Sequence, residues 1–156
     1  MAQPAALYPS TDSIVSHMSR SILLIEDQPY DAELTLRALR ELGLDEDVLH
    51  LRDGAEALSY LFEETPGHGV PPKLILLDLK LPKVSGLEVL EALKSDKRTQ
   101  CIPVIALTSS QEQQDLNRCY DLGVNSYVVK PVDFEQFTET VQQIGRYWTT
   151  TNQTVC

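Results

Sequence analysis

Short apolar runs recur along the chain, each closed by a polar residue and separated from the next by a helix-length amphipathic stretch. Ile22-Leu23-Leu24-Ile25 ends at Glu26 and Asp27, Leu74-Ile75-Leu76-Leu77 at Asp78, Val104-Ile105-Ala106-Leu107 at Thr108, and Tyr127-Val128-Val129 at Lys130. Such runs, bounded by turn residues, fit parallel strands buried on both faces and joined by crossover helices. The pattern predicts strands at about 21–25, 102–107 and 126–129, one ending at Asp78, and a weaker one at 48–51.

The intervening stretches read as helices. Pro29 suits a first helical turn, and the stripe Leu34, Ala38, Leu39 and Leu42 stops at Gly43. Asp53-Gly54 turns into a helix carrying Ala57, Leu58, Leu61 and Phe62, and residues 65–72 are loop by composition. A loop with Pro82 and Gly86 leads to a helix with Leu87, Leu90 and Leu93. A polar-faced helix runs through Leu116 and Leu122 to Gly123. In the last helix Phe134, Phe137, Val141, Ile144 and Trp148 repeat at intervals of 3, 4, 3 and 4, a core-facing stripe.

Five strands alternating with five helices predict an α/β fold. The expected form is a flavodoxin-like doubly wound five-stranded parallel sheet, strand order 2-1-3-4-5, with helices on both faces. The expected organisation is a mobile arm at 1–20, one domain at 21–148 and a tail at 149–156. Met18 stands close enough to the first strand to serve as an alternative start.

Composition narrows the classes. A chain of 156 residues buries one real core and leaves little room for a second module. A net charge of -10 without any basic stretch disfavours nucleic acid and anionic membrane surfaces. Cys101, Cys119 and Cys156 are odd in number, widely spaced and free of CxxC pairing, so neither a disulfide framework nor a zinc site is expected. A reducing, cytoplasmic setting follows from that usage. The first residues have no charged leader or long apolar core, and no run approaches a membrane-spanning length. His17, His50 and His68 are scattered and read as surface or loop residues.

The chemistry lies at the strand ends, because open α/β sheets place their sites at the carboxyl edge. Parallel strands would bring Glu26, Asp27, Asp78, Thr108 and Lys130 to one rim. Two carboxylates about 4 Å apart repel by roughly 4 kcal/mol at an effective dielectric near 20, so the acids call for a cation. Mg²⁺ is the natural choice, and Mn²⁺ a substitute: a hard ion takes carboxylates, keeps waters and bridges to phosphate oxygens. Lys130 can grip a phosphoryl oxygen and Thr108 can donate to another, while an aspartate serves as nucleophile. Taken singly, each has a plainer role, as helix-terminus charge, turn acid, cap or loop residue. There is no Gly-rich nucleotide loop.

As a set, Glu26-Asp27, Asp78-x-x-x-Pro82-x-x-x-Gly86, Thr108-Ser109 and Lys130-Pro131 resemble the receiver domain of two-component response regulators, over about residues 21–147. That resemblance implies Asp78 as phosphoacceptor and Mg²⁺ on Asp27, Asp78 and the backbone carbonyl of Lys80, with Glu26 acting through water. It also implies Thr108 and Lys130 on the phosphoryl oxygens, Tyr127 as the switch aromatic, and a cis Lys130-Pro131 bond. Glu26 stands where the family more commonly has Asp.

A narrower likeness is to the small receivers paired with cyanobacterial and bacterial phytochromes. It rests on the stretch from Leu74 to Lys83, on Tyr120-Asp121-Leu122-Gly123-Val124-Asn125, on Lys130-Pro131-Val132-Asp133 and on Tyr147-Trp148. This implies a histidine kinase partner, a phytochrome, and a homodimer through helix 4, strand 5 and helix 5. The protein would assist its own phosphorylation and dephosphorylation without being an enzyme that turns over a substrate. The alternatives are an interaction module of the same fold that is never phosphorylated, or an aspartate-nucleophile phosphatase. The second is disfavoured because Lys80 stands where haloacid-dehalogenase-like phosphatases have a second Asp.

Overall fold

In the structure, a computed structural model that describes residues 21–63 and 71–156, five parallel strands form one sheet. They are β1 (Ile22–Ile25), β2 (Val48–Leu51), β3 (Leu74–Leu77), β4 (Val104–Thr108) and β5 (Ser126–Val129), in the order β2-β1-β3-β4-β5. The arm expected at 1–20 and most of the loop expected at 65–72 lie outside the described residues. Every residue of β1, β3 and β4 is buried, whereas the outer strands β2 and β5 are only partly covered. The central strands are accordingly continuous apolar runs, whereas β2 carries His50 within it.

The helices are α1 (Pro29–Arg40), α2 (Gly54–Leu58), α3 (Gly86–Ser95), α4 (Gln113–Asp121) and α5 (Phe134–Arg146). Alternate strand residues divide into two cores. Leu23, Ile25, Ile75, Leu77, Val104 and Ala106 face Ala57 of α2, Val89, Leu90 and Leu93 of α3, and Cys119 of α4. Ile22, Leu24, Leu74, Leu76, Ile105 and Leu107 face α1 and α5, which supply Ala38, Leu39, Phe137, Val141 and Ile144. Each buried Leu or Ile contributes about 1.5–3 kcal/mol relative to exposure, so the two-faced covering of the central strands outweighs any local propensity.

Several helix starts are set by short-range chemistry. Asp53 and Asp133 accept from Glu56 N (2.7 Å) and Gln136 N (2.9 Å), capping α2 and α5. Ser85 and Glu88 form a reciprocal capping box at α3. Both α2 and α5 run on into a wider turn, at Ser59–Glu63 and Tyr147–Thr151. Trp148 thus packs at the edge of the second core from beyond the regular helix, and Phe134, the first residue of the stripe, is 48% exposed.

Three expectations change. β4 starts at Val104 rather than near 102, since Pro103 has no N–H for the ladder and Ile102 N instead bonds Thr99 O at 3.0 Å. The Lys130-Pro131 peptide is trans, because no cis bond occurs among the described residues; trans is the form an X-Pro bond adopts unless its surroundings oppose it. Cys101 and Cys156 form a disulfide, with Cα atoms 5.7 Å apart, while Cys119 is buried and unpaired. The chain after α5 returns to the amino end of β4, a proximity that 55 residues of separation conceals. Among the described residues no helix is long and apolar enough to cross a membrane.

Gly86 explains one spacing in the sequence. A Cβ there would lie 2.2 Å from Asp78 O and 2.5 Å from Leu79 Cα, so α3 begins directly against the backbone of the loop after β3. Gly86→Ala should therefore destabilise the protein by about 2–3 kcal/mol, read as a lower urea midpoint. A change within 0.5 kcal/mol, roughly the range of a surface substitution, would show that the loop yields freely.

Candidate functional site

Ladder hydrogen bonds continue one step past the strands and hold the polar residues in place. Glu26 N bonds Leu51 O (3.0 Å), Asp78 N bonds Ile25 O (3.0 Å) and Lys130 N bonds Thr108 O (2.7 Å). The backbones at the carboxyl edge are therefore as fixed as the sheet itself. Glu26, Asp78 and Thr108 are buried there, and Asp27 is half-buried beside them.

The side chains converge. Glu26, Asp27 and Asp78 each place a carboxylate oxygen within 4.8 Å of the others. Lys130, its side chain 8% exposed, donates from Nζ to Glu26 Oε1, to Asp31 Oδ2 (2.8 Å) and to Asp78 Oδ2 (3.2 Å). Asp78 Oδ1 also accepts from the backbone N–H of Lys80 at 3.2 Å, while the Lys80 side chain is exposed.

Four carboxylates and one ammonium leave three net negative charges if every group is ionised, and at Glu26 and Asp78 little water reaches them. Glu26 responds by holding its proton: burial, then its contact with Asp78, push its carboxyl from 4.5 up to about 8 against the pull of Lys130. Burial opposes the charge on Lys130, but the hydrogen bonds of Asp31 and Glu26 and the nearby Asp78 prevail and raise its pKa. Asp27 Oδ1 is buried and has no hydrogen-bond partner. An orphaned oxygen beside two further carboxylates is a donor set for a hard divalent cation, which would supply the positive charge that Lys130 alone cannot.

Thr108, at the end of β4, accepts from Ser110 N at 3.2 Å. Ser110 O accepts from the Tyr127 hydroxyl at 3.0 Å, and Ser110 Oγ donates to Asp115 Oδ2 of α4 at 2.5 Å. Tyr127 is half-buried on the first core. Burial raises the pKa of its phenol. A short hydrogen-bonded path thus runs from the carboxyl edge through the loop after β4 to β5 and α4.

Glu26, Asp27, Asp78 and Lys130 meet at the edge, Thr108 ends β4 beside Ser110, and three further residues that the sequence reading does not single out for the site take part in the contacts. Asp31 lies one helical turn after Asp27, and that spacing on the first turn of α1 was the available signal. Ser110 was overlooked beside the more obvious Thr108-Ser109 pair. His50 is not a loop residue: it sits in β2 with Nε2 2.8 Å from the backbone oxygen of Glu26, steadying that peptide.

Residues 22–142 match the response regulator receiver domain. The chain belongs to that family. It is 46% identical over 127 residues to the probable methanogenesis regulatory protein FilR2 of Methanothrix harundinacea, covering 81% of this chain and 82% of the relative. The crystal structure of the phosphorylated cyanobacterial phytochrome response regulator RcpA superposes with a TM-score of 0.80 at 38% identity, covering 86% of this chain and 97% of that one. The Mn²⁺-bound form of Rcp1, a response regulator of Synechocystis, superposes at 0.78 with 36% identity, covering 86% and 98%. Receiver domains are signalling proteins that bind a divalent metal and, as their general role, are phosphorylated by a histidine kinase. The five-stranded order 2-1-3-4-5 is that of the receiver fold.

Glu26 gives the receiver a pH signature. A carboxyl that binds its proton more tightly folded than unfolded lends stability below pH 4.5, and this is lost as pH rises through about 8. Metal-free protein should therefore melt lower, by about 5 °C or more, at about pH 8.5 than at about pH 5. Glu26→Gln should flatten that difference, and thermal melts of both proteins across the range check it. An equal fall in the variant would remove Glu26 as the cause.

Proposed function

We propose that Asp78 accepts a phosphoryl group from a phytochrome histidine kinase, and that the chain then signals through a change in the surface of α4, β5 and α5. The convergence of three carboxylate oxygens with the Lys130 ammonium on Asp78 carries this reading. Asp27 and Asp78, with the backbone carbonyl of Lys80, would hold Mg²⁺, for which Mn²⁺ could substitute, and Glu26 would act on it through water. When bound, such an ion would supply positive charge to the acids and to the incoming phosphoryl oxygens.

An oxygen of Asp78 attacks phosphorus in line with the departing kinase imidazole, so an O–P bond forms as the N–P bond breaks. Lys130 shifts from the carboxylates to a phosphoryl oxygen, leaving Asp31 as its remaining neighbour, and the Thr108 hydroxyl donates to another. Moving Thr108 disturbs its bond from Ser110 N, and with it the Ser110 carbonyl on which Tyr127 rests. Tyr127 then turns inward. Phosphorylation replaces the single charge of the Asp78 carboxylate with the nearly two charges of an acyl phosphate, a net gain of about one, and couplings of this kind amount to ~1–3 kcal/mol, enough to shift a docking equilibrium without rebuilding the sheet. The chain thus assists its own labelling and hydrolysis rather than turning over a substrate, and works where kinase and ATP are, in the cytoplasm.

The phytochrome partner is supported by the likeness to RcpA and Rcp1, and FilR2 marks how widely the same scaffold is used. Acetyl phosphate with Mg²⁺ should raise the intact mass by one phosphoryl group. Asp78→Asn should abolish the gain, and Lys130→Ala should slow it on the order of a hundredfold. An undiminished gain in Asp78→Asn would end the assignment.

The same face is proposed to pair two copies, since β5 is an outer strand only partly covered by its own helices. Sedimentation should find a dimer that strengthens or weakens with phosphorylation. Monomer alone, with and without the phosphoryl group, would count against pairing.

A further inference from the structure

We infer that Cys101 and Cys156 are a reversible redox modification site, opened by low-molecular-weight thiols, that latches the segment after α5 onto the amino edge of the sheet. Cys156 is exposed and Cys101 half-buried, so an attacking thiolate can reach the bond. Trp148 and the hydroxyls of Thr149 and Thr150 hold the turn at Tyr147–Thr151 against the second core and α5, but past Asn152 nothing else among the described residues ties the chain down. Asn152 N closes the last turn on Tyr147 O, and beyond it the hydrogen bond shown is the local one from Cys156 N to Thr154 Oγ1. Gln153, Thr154 and Val155 are all exposed, so no apolar burial would hold them once the bond opens. The two redox states must therefore differ in structure.

The third thiol does not compete. Cys119 is completely buried, and burial, followed by the nearby Asp115 charge, raises its pKa from 9.0 to about 11, so it is neither accessible nor a ready thiolate. Exchange is confined to one pair.

The step is balanced with a thiol such as glutathione. Its thiolate attacks Cys156 Sγ, forming a mixed disulfide and expelling Cys101 as a thiolate that takes up a proton. A second glutathione thiolate attacks the glutathione sulfur, releasing Cys156 as a thiolate that is protonated in turn, along with glutathione disulfide. Two electrons pass to the protein and two small thiols are oxidised. Closure is the reverse, with glutathione disulfide as oxidant.

The covalent loop from 101 to 156 encloses β4, α4, β5 and α5, and therefore Thr108, Tyr127 and Lys130. If the proposed switching holds, redox state governs the stiffness of the half that switches; the chemistry of the pair stands without that reading.

The test is a titration in mixtures of reduced and oxidised glutathione, trapped by alkylation and read by intact mass, with no phosphoryl donor present. Cys101 and Cys156 should open together in one two-electron transition, while Cys119 is labelled only after denaturation. Hydrogen exchange should then quicken about tenfold or more in residues 153–156 on reduction and stay unchanged in β1 and β3. Cys101→Ser and Cys156→Ser should each reproduce the reduced pattern. A bond that stays closed in reduced glutathione, thiols that never pair in oxidised glutathione, or opening without a change in exchange would each overturn the inference. Loss of phosphorylation alone would leave these readouts untouched, so failure here and failure of the proposed function are separable.

Discussion

The carboxyl edge of the sheet gathers more negative charge than its own cation can neutralise, and the sheet does not let that charge disperse. Glu26 and Asp78 are tied to the ladder by backbone hydrogen bonds and are almost without solvent. Two like charges at this range repel by about 4 kcal/mol even at an effective dielectric of 20, comparable with burying one or two leucines. The molecule answers with the Lys130 ammonium held among three carboxylates and a Glu26 that keeps its proton. What is left, the unpartnered Asp27 oxygen and its neighbours, favours a divalent cation.

That imbalance also makes the edge responsive. Under the proposed phosphorylation, further negative charge would compete for the contacts that Lys130 and Thr108 now make. Thr108 is linked to Ser110, and Ser110 to both Tyr127 and Asp115, so rearrangement at the edge has a hydrogen-bonded route towards β5 and α4. Asp31 lies outside the acid cluster that would hold a cation, yet binds the lysine, and so keeps a claim on the ammonium when the other acids turn elsewhere.

The two edges of the sheet carry different chemistry. The carboxyl edge holds charge under hydrogen-bonded control, while the amino edge is joined by sulfur to a segment that little else restrains. At the carboxyl edge there is little slack: α3 begins against the carbonyl of Asp78, where even a methyl group would overlap. A parallel sheet with both faces covered is stiff enough to keep these two edges in register.

Much of this was present in one dimension. Runs of four apolar residues without alternation specify strands covered on both faces, and the amphipathic stretches between them specify crossovers, so the five strands, their order and the gathering of Glu26, Asp27, Asp78, Thr108 and Lys130 followed from backbone geometry and burial. Those signals are local, repeating within a turn of helix or a pleat of strand. Lys130 reaching Asp31, Tyr127 resting on Ser110, His50 bonding the Glu26 carbonyl and Cys101 meeting Cys156 are contacts between residues remote in sequence. No periodicity records them, and neither does it record the trans peptide at Lys130-Pro131, which depends on how the surrounding loop packs. Composition and pattern determined the scaffold and the kind of chemistry at its edge; which groups share a proton, a lysine or a sulfur was decided only when the folded chain brought them within bonding distance.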